Sequence, residues 1–136
     1  MKLLMFNTEE FWYKTYSKTI EKIKDITEKQ CIKESLVIFA NVEKEDEEKV
    51  RKIINKSTNN IRWLAKKTGR NKIMLHSFAH LSKSKASVEF AKDILKGIEE
   101  KLENKGYEVF TTPFGYFLEF RIHVLGESLS KVWKSL

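Results

Sequence analysis

Two histidines and a set of basic side chains are the residues of this chain whose chemistry can go beyond packing. His76 and His80 lie four apart, the spacing at which two imidazoles on one helix face hold a metal ion. The run Ile73-Met74-Leu75-His76-Ser77-Phe78 reads as a strand, however, and there a four-residue spacing loses that meaning. Zinc is therefore the minor reading, and none of the readings below requires a metal or cofactor. His80 falls where the strand runs out, the usual ligand location in α/β sheets. It either lines a pocket there or is an ordinary exposed histidine, and the residues alone leave both open. Arg62, Lys66, Lys67, Arg70 and Lys72 gather positive charge around Trp63, and Lys83 and Lys85 continue it near His80. That pattern suits phosphate contacts and base stacking. The plainer account is that these cations complement a helix C-terminus, with Trp63 partly in the core. Cys31 has no basic or histidine neighbour that would make it a nucleophile. Neither a serine nucleophile elbow nor a glycine-rich phosphate loop is present.

Such groups need a scaffold, and 136 residues of 16.1 kDa supply one domain, residues 1–136. With 41% hydrophobic residues the chain can bury a real core. The element order reads as strand Lys2 to Phe6, strand Phe11 to Thr19, a polar excursion from Ser17 to Lys33, and a central strand Leu36 to Val42. Val50, Ile53, Ile54, Ile61, Leu64 and Ala65 then recur near a 3.6 period until Gly69, which predicts an amphipathic helix. Lys72 to Phe78 is a strand, and Ser84 or Ser87 caps a second helix with the stripe Ala91, Ile94, Leu95, Ile98 and Leu102. Gly106 ends it. Strand Tyr107 to Thr112, a turn at Pro113-Phe114-Gly115, strand Tyr116 to Val124 and a short C-terminal helix complete the chain. The fold class is α/β, a mixed β-sheet with helices packed on it.

The formal charge of +7 and a pI near 9.4 favour polyanionic partners such as nucleic acid. A single cysteine fits a reducing cytoplasm. The longest apolar run, Leu36 to Ala40, is far below the roughly 20 residues a membrane helix needs. Glu9 and Glu10 follow the opening apolar run too closely for a signal peptide.

Four segments together carry a family resemblance: Leu3-Leu4-Met5-Phe6, Val42-Glu43-Lys44, Phe78-Ala79-His80-Leu81-Ser82 and Pro113-Phe114-Gly115-Tyr116. The chain resembles, over nearly its whole length, the N-terminal editing domain of archaeal threonyl-tRNA synthetases. The resemblance implies the fold of D-aminoacyl-tRNA deacylases, a homodimer, and hydrolysis of seryl-tRNA made in error on the threonine tRNA. Its partners would be the aminoacylated 3′ end of tRNA and a threonyl-tRNA synthetase. Serine and threonine differ by one methyl, which a pocket reads with only about 1–3 kcal/mol, so a second sieve is needed. By the same resemblance, Phe78 and Ala79 with Pro113, Phe114, Gly115, Tyr116, Phe117 and Leu118 wall the amino-acid pocket. Asn41, Val42 and Glu43 lie by the terminal adenosine, and His80 faces the substrate.

Family members usually read PFGYYK, whereas this chain reads Pro113-Phe114-Gly115-Tyr116-Phe117-Leu118. Phe117 thus lacks a hydroxyl and Leu118 an ammonium, and Lys131 stands where the family's last helix carries a Glu. One reading is a divergent deacylase that works with His80, backbone amides, the substrate's own ribose hydroxyl and Lys131 as a cation from the opposite wall. A second is a non-catalytic module that docks tRNA or a synthetase. A third is a binder of another small ligand or of D-aminoacyl-tRNA. Whether the domain is free-standing or part of a synthetase is left open by its length.

Overall fold

The computed structural model describes residues 1–136. Its strands are β1 (Lys2–Lys18), β2 (Lys29–Asn41), β3 (Lys72–Ser77), β4 (Glu108–Thr111), β5 (Tyr116–Val124) and β6 (Lys131–Ser135). Helix α1 (Val50–Thr68) joins β2 to β3, and α2 (Val88–Asn104) joins β3 to β4. The sheet order is β4-β3-β2-β1-β5, with β6 also on β1. Strands β2, β3 and β4 run parallel, as strands joined through helices do. Every pairing of β1 is antiparallel.

Both helices cover one face. Leu3, Met5, Leu36, Ile38, Ala40, Ile73 and Leu75 from the sheet pack there against Ile53, Ile61 and Leu64 of α1 and Ile94, Leu95, Ile98 and Leu102 of α2. Alternate residues of β2 and β3 therefore face the other side, where Val37, Phe39 and Met74 join Phe11, Tyr13 and Ile32 in a second cluster. Leu118 and Ile122 of β5 pack on that cluster.

Strict alternation along β1 would put Phe11 and Tyr13 on the same face as Leu3 and Met5. They are on the opposite one. The change occurs at Glu9 and Glu34, where the β1–β2 register passes from Thr8↔Ser35 to Glu10↔Lys33 without a pair between. Glu34 has φ 50°, in the left-handed region. The β1–β5 register shifts at the same place, between Thr8 and Glu10. This bulge resets the side-chain alternation and sends the far half of the ribbon, with β5 on its edge, over the second cluster.

Three expectations are corrected. The two short N-terminal strands are one strand, because the β1–β2 register is the same on either side of Glu9 and Glu34 and only the β1–β5 ladder shifts there. The central strand starts at Lys29, seven residues earlier, so the polar excursion shrinks to the link between Lys18 and Lys29. The C-terminal segment is strand β6, not a helix, held by the unused edge of β1 opposite Leu3 to Phe6. No helix is long and apolar enough to cross a membrane.

The left-handed backbone at Glu34 yields a stability prediction. Glu34→Val should cost about 1–2 kcal/mol, since a β-branched residue tolerates positive φ poorly, whereas Glu34→Gly should be neutral or slightly stabilising. The pair of denaturant midpoints checks this; equal losses from both would mean that the side chain, not the backbone, matters.

Candidate functional site

The parallel strands end together, and a cavity of about 400 Å³ opens beside those ends. One wall is the end of β3 and the residues after it, His76, Ser77, Phe78, Ala79 and His80. Beside that wall, Thr112, the turn Pro113-Phe114-Gly115 and the start of β5 through Leu118 also line the cavity. Ala40 of β2 and Val42 just past its end also line it, as do Val88 and Ala91 from the first turns of α2, which Ser87 caps by accepting the Phe90 N–H. Location at strand ends follows from the topology, since the connections leaving parallel strands diverge there.

The turn is tied down from outside. Thr19 N–H donates to the Gly115 carbonyl at 2.7 Å, and the Tyr116 hydroxyl accepts from Ile26 N–H at 2.7 Å and donates to the Lys24 carbonyl. The loop between β1 and β2 thereby folds against the turn and contributes Thr19 and Ile20 to the cavity. Gly115 has φ 85°, and a Cβ there would lie 2.6 Å from Ile23 Cδ1. Gly115→Ala should therefore cost about 1–2 kcal/mol and loosen this loop, which limited proteolysis between Lys18 and Lys29 would report.

An aromatic chain forms the interior. Phe39 meets Phe78 at 5.1 Å between centroids, Phe120 at 5.6 Å and His76 at 5.0 Å. Phe78 in turn meets His80 edge-on at 5.2 Å. His76 and His80 each pack against the Phe78 ring, at 6.0 and 5.2 Å between centroids. His76 shares a 2.9 Å hydrogen bond between Nδ1 and Thr112 Oγ1. Burial lowers its pKa from 6.5 to about 4, so the ring is neutral at neutral pH. His80 is exposed at the rim, and Lys85 stands at the rim with it.

Of the residues expected at the site, Val42, Phe78, Ala79, His80 and all of Pro113 to Leu118 line the cavity. Asn41 and Glu43 do not. Asn41 is buried and accepts the Leu81 N–H through Oδ1 at 3.0 Å while Nδ2 donates to the Ser84 carbonyl at 3.2 Å. Glu43 accepts from Ser82 Oγ at 2.7 Å and from the Met1 ammonium at 2.5 Å, and Asp46 lies 2.8 Å from the same ammonium. Both side chains hold the loop that carries His80. Burial alone would raise the Glu43 carboxyl, but hydrogen bonds from the Met1 ammonium, Ser82 and Lys2 outweigh it and lower the pKa to about 2.

Lys131 is not brought to the cavity. It begins β6 opposite Phe6, and its ammonium donates to the Leu125 carbonyl at 3.1 Å. The expected opposite-wall cation is thus absent, because the helix that would have presented it is a strand. Arg70 is likewise structural: Nε donates to Asn7 Oδ1 at 2.7 Å. Trp63 lies under Lys134, 5.1 Å from ring centroid to Nζ. The sequence reading missed Thr112 and Phe120 in the cavity and saw His76 only as a metal candidate. The alternation Met74/His76 against Ile73/Leu75 was the available signal that His76 faces away from the helices.

A family model described as the Archaea-specific editing domain of threonyl-tRNA synthetase matches residues 1–136. The chain belongs to that family. It is 37% identical to a threonine–tRNA ligase from Methanosphaera stadtmanae, 35% to one from Methanosarcina acetivorans and 33% to one from Thermococcus sibiricus. Each match covers 100% of this chain and 22% of the relative, so the chain spans about a fifth of those ligases. Among solved structures it is similar to the c-Myc DNA Unwinding Element Binding Protein, with TM-score 0.67 and 11% identity over 100% of this chain and 99% of that one. That likeness shows the fold alone, a mixed α/β architecture with two helices packed on a mixed sheet. As a member of the editing-domain family, the chain falls within tRNA editing in general.

The two shifted groups make this editing domain acid-sensitive. His76 has a folded pKa below its ordinary 6.5, so the unfolded chain takes up its proton first and stability falls as pH drops from about 6.5 to about 4. The loss should be on the order of 3 kcal/mol. Glu43 is favoured as the carboxylate, so its contribution is present above its ordinary 4.5 and is lost as pH falls toward 2. Denaturant midpoints at pH 7, 5.5 and 4 should decline, and His76→Gln should flatten that decline; an unchanged slope in the variant would refute the assignment to His76.

Proposed function

We propose that this domain hydrolyses the ester of seryl-tRNA formed in error on threonine tRNA. The supporting observation is that the two family segments, Phe78-Ala79-His80 and Pro113-Phe114-Gly115-Tyr116, line one and the same cavity, large enough for an aminoacyl group. The bond to be broken is an activated ester at the terminal ribose. Its cleavage needs a placed water and donors for the developing oxyanion. The N–H groups of Ala79 and His80 make no backbone hydrogen bond and belong to cavity-lining residues, which makes them candidates for that second task. His80, at the rim beside them, is the group to hold or move a proton at the attacking water. Lys85 supplies a rim cation toward the phosphates of the tRNA end. With Leu118 in the lining and Lys131 elsewhere, no cation stands at the ester itself, so turnover is carried by main chain, imidazole and the ribose hydroxyl.

The same reading gives the domain a cytoplasmic place, the aminoacylated 3′ end of tRNA as ligand, and a second copy or a threonyl-tRNA synthetase as partner. A specific observation favours one competitor. Phe117, 56% exposed, and Leu118 put apolar surface at positions where the family has a hydroxyl and an ammonium, which suits a module that binds tRNA without turnover.

Serine release from seryl-tRNA separates the two. The wild type should release serine above background, His80→Ala should slow release about 10²- to 10⁴-fold, and Lys131→Ala should leave it unchanged. Tight, salt-dependent tRNA binding with no release at high protein concentration would establish the non-catalytic module instead.

A further inference from the structure

The cavity wall contains one buried ionisable side chain with a nitrogen left over, and the editing reading has so far given it no role. Tyr116 uses its hydroxyl on the loop between β1 and β2, and Thr112 uses its hydroxyl on His76. Thr19, His80 and Lys85 are exposed, and Ser77 is half-buried. His76, only 7% exposed, is enclosed by Phe39, Phe78 and Phe120, with ring centroids 5.0, 6.0 and 6.1 Å away.

The hydrogen bond to Thr112 sets the tautomer. Thr112 Oγ1 is buried, and His76 Nδ1, 2.9 Å away, is its one partner. A buried hydroxyl with a single nitrogen in reach donates its proton there, which leaves Nδ1 the acceptor and places the ring proton on Nε2. Burial keeps the ring neutral, with a pKa lowered to about 4. Nε2–H makes no hydrogen bond within the protein and is not among the fully enclosed unpartnered atoms, so it opens onto the cavity that His76 lines.

Substrate orientation follows from the distribution of charge. The exposed rim carries His80 and Lys85, which suits the nucleotide and its phosphates, whereas the interior is aromatic and aliphatic and suits the aminoacyl group. The aminoacyl side chain is then the part of the substrate that reaches His76.

We propose that His76, held by Thr112, is a specificity-determining donor that bonds the side-chain hydroxyl of the seryl group, so that the cavity prefers seryl over alanyl esters. The proposal rests on the editing reading and deepens it. A site built to hydrogen-bond a hydroxyl excludes the analogue that lacks it far more strongly than an apolar pocket does, because the buried donor is left unpaired.

Calorimetric binding of the non-hydrolysable adenosine 3′-amides of serine and alanine tests this. The wild type should bind the seryl amide on the order of ten- to a hundredfold more tightly than the alanyl amide. The double variant His76→Phe/Thr112→Val removes both hydrogen-bonding partners and leaves no orphaned group, and its ratio should fall to about one. His76→Gln, which restores a donor, should recover part of the preference. Equal binding of the two amides by the wild type, a preference that survives in the double variant, or failure to bind either amide would each overturn the proposal. Serine release run in parallel keeps the two claims apart: selective binding without turnover removes the hydrolytic reading and leaves this one standing.

Discussion

The structure depends on one backbone constraint, the reset of side-chain alternation where β1 and β2 pass Glu9 and Glu34. Without it the inward residues of β1 would continue on the helix face, and Phe11 and Tyr13 would have no second core to enter. With it, the distal half of the ribbon turns over the far side of the sheet and carries β5 along. Phe120 of β5 then meets Phe39 of β2 and His76 of β3 across the sheet face, contacts that no flat sheet permits between strands so far apart in order. The cavity is the space this overlap leaves at the strand ends. A bulge of this kind is a device for aiming side chains, and here it aims a whole strand.

A second layer of organisation is polar. The loop after β3 has little regular structure, yet it must hold His80 and the free amides in one place. Asn41 binds that loop at Leu81 and Ser84, and Glu43 binds it at Ser82 while also neutralising the buried Met1 ammonium together with Asp46. Each of these groups is buried and each has partners, the condition under which buried charge is tolerated. The N-terminal strand, the end of β2 and the site loop are thus one electrostatic unit. Asn41 and Glu43 belong to the site through the loop they position and not through contact with the cavity.

The chemistry inside that frame is sparse in charge. Aromatic and aliphatic groups dominate the lining, a neutral imidazole lies within it, and the one cationic side chain in the lining is at the rim. An apolar, partly closed site strengthens whatever hydrogen bonds it does make, because water competes less for them. Selection by a single well-placed donor is consistent with such a site, and so is slow hydrolysis by main-chain amides. Strong electrostatic activation of the ester is not, since the positions that would supply it are Leu118 and a strand residue, Lys131, bonded to Leu125.

Much of this was legible in the residues themselves. The helical periods of α1 and α2, the strand β3 between them and the Pro113-Phe114-Gly115 turn follow from local pattern, because burial on one face writes itself into spacing. The residues Phe78, Ala79 and His80 could be placed at a strand end for the same reason. What sequence could not decide was where the pattern breaks. Alternation on either side of Glu9 is regular, and a bulge within one strand looks the same as a gap between two. The last segment could not be assigned either: β6 is a strand because the edge of β1 offers unpaired backbone groups from Leu3 to Phe6, and those exist only once the sheet is built. Tertiary structure alone also joined His76 to Thr112, 36 residues apart, and removed Lys131 from the site. Local spacing fixed which face the residues of α1, α2 and β3 take; where β1 changes face and which elements face each other were decided by backbone pairing and burial across the whole chain.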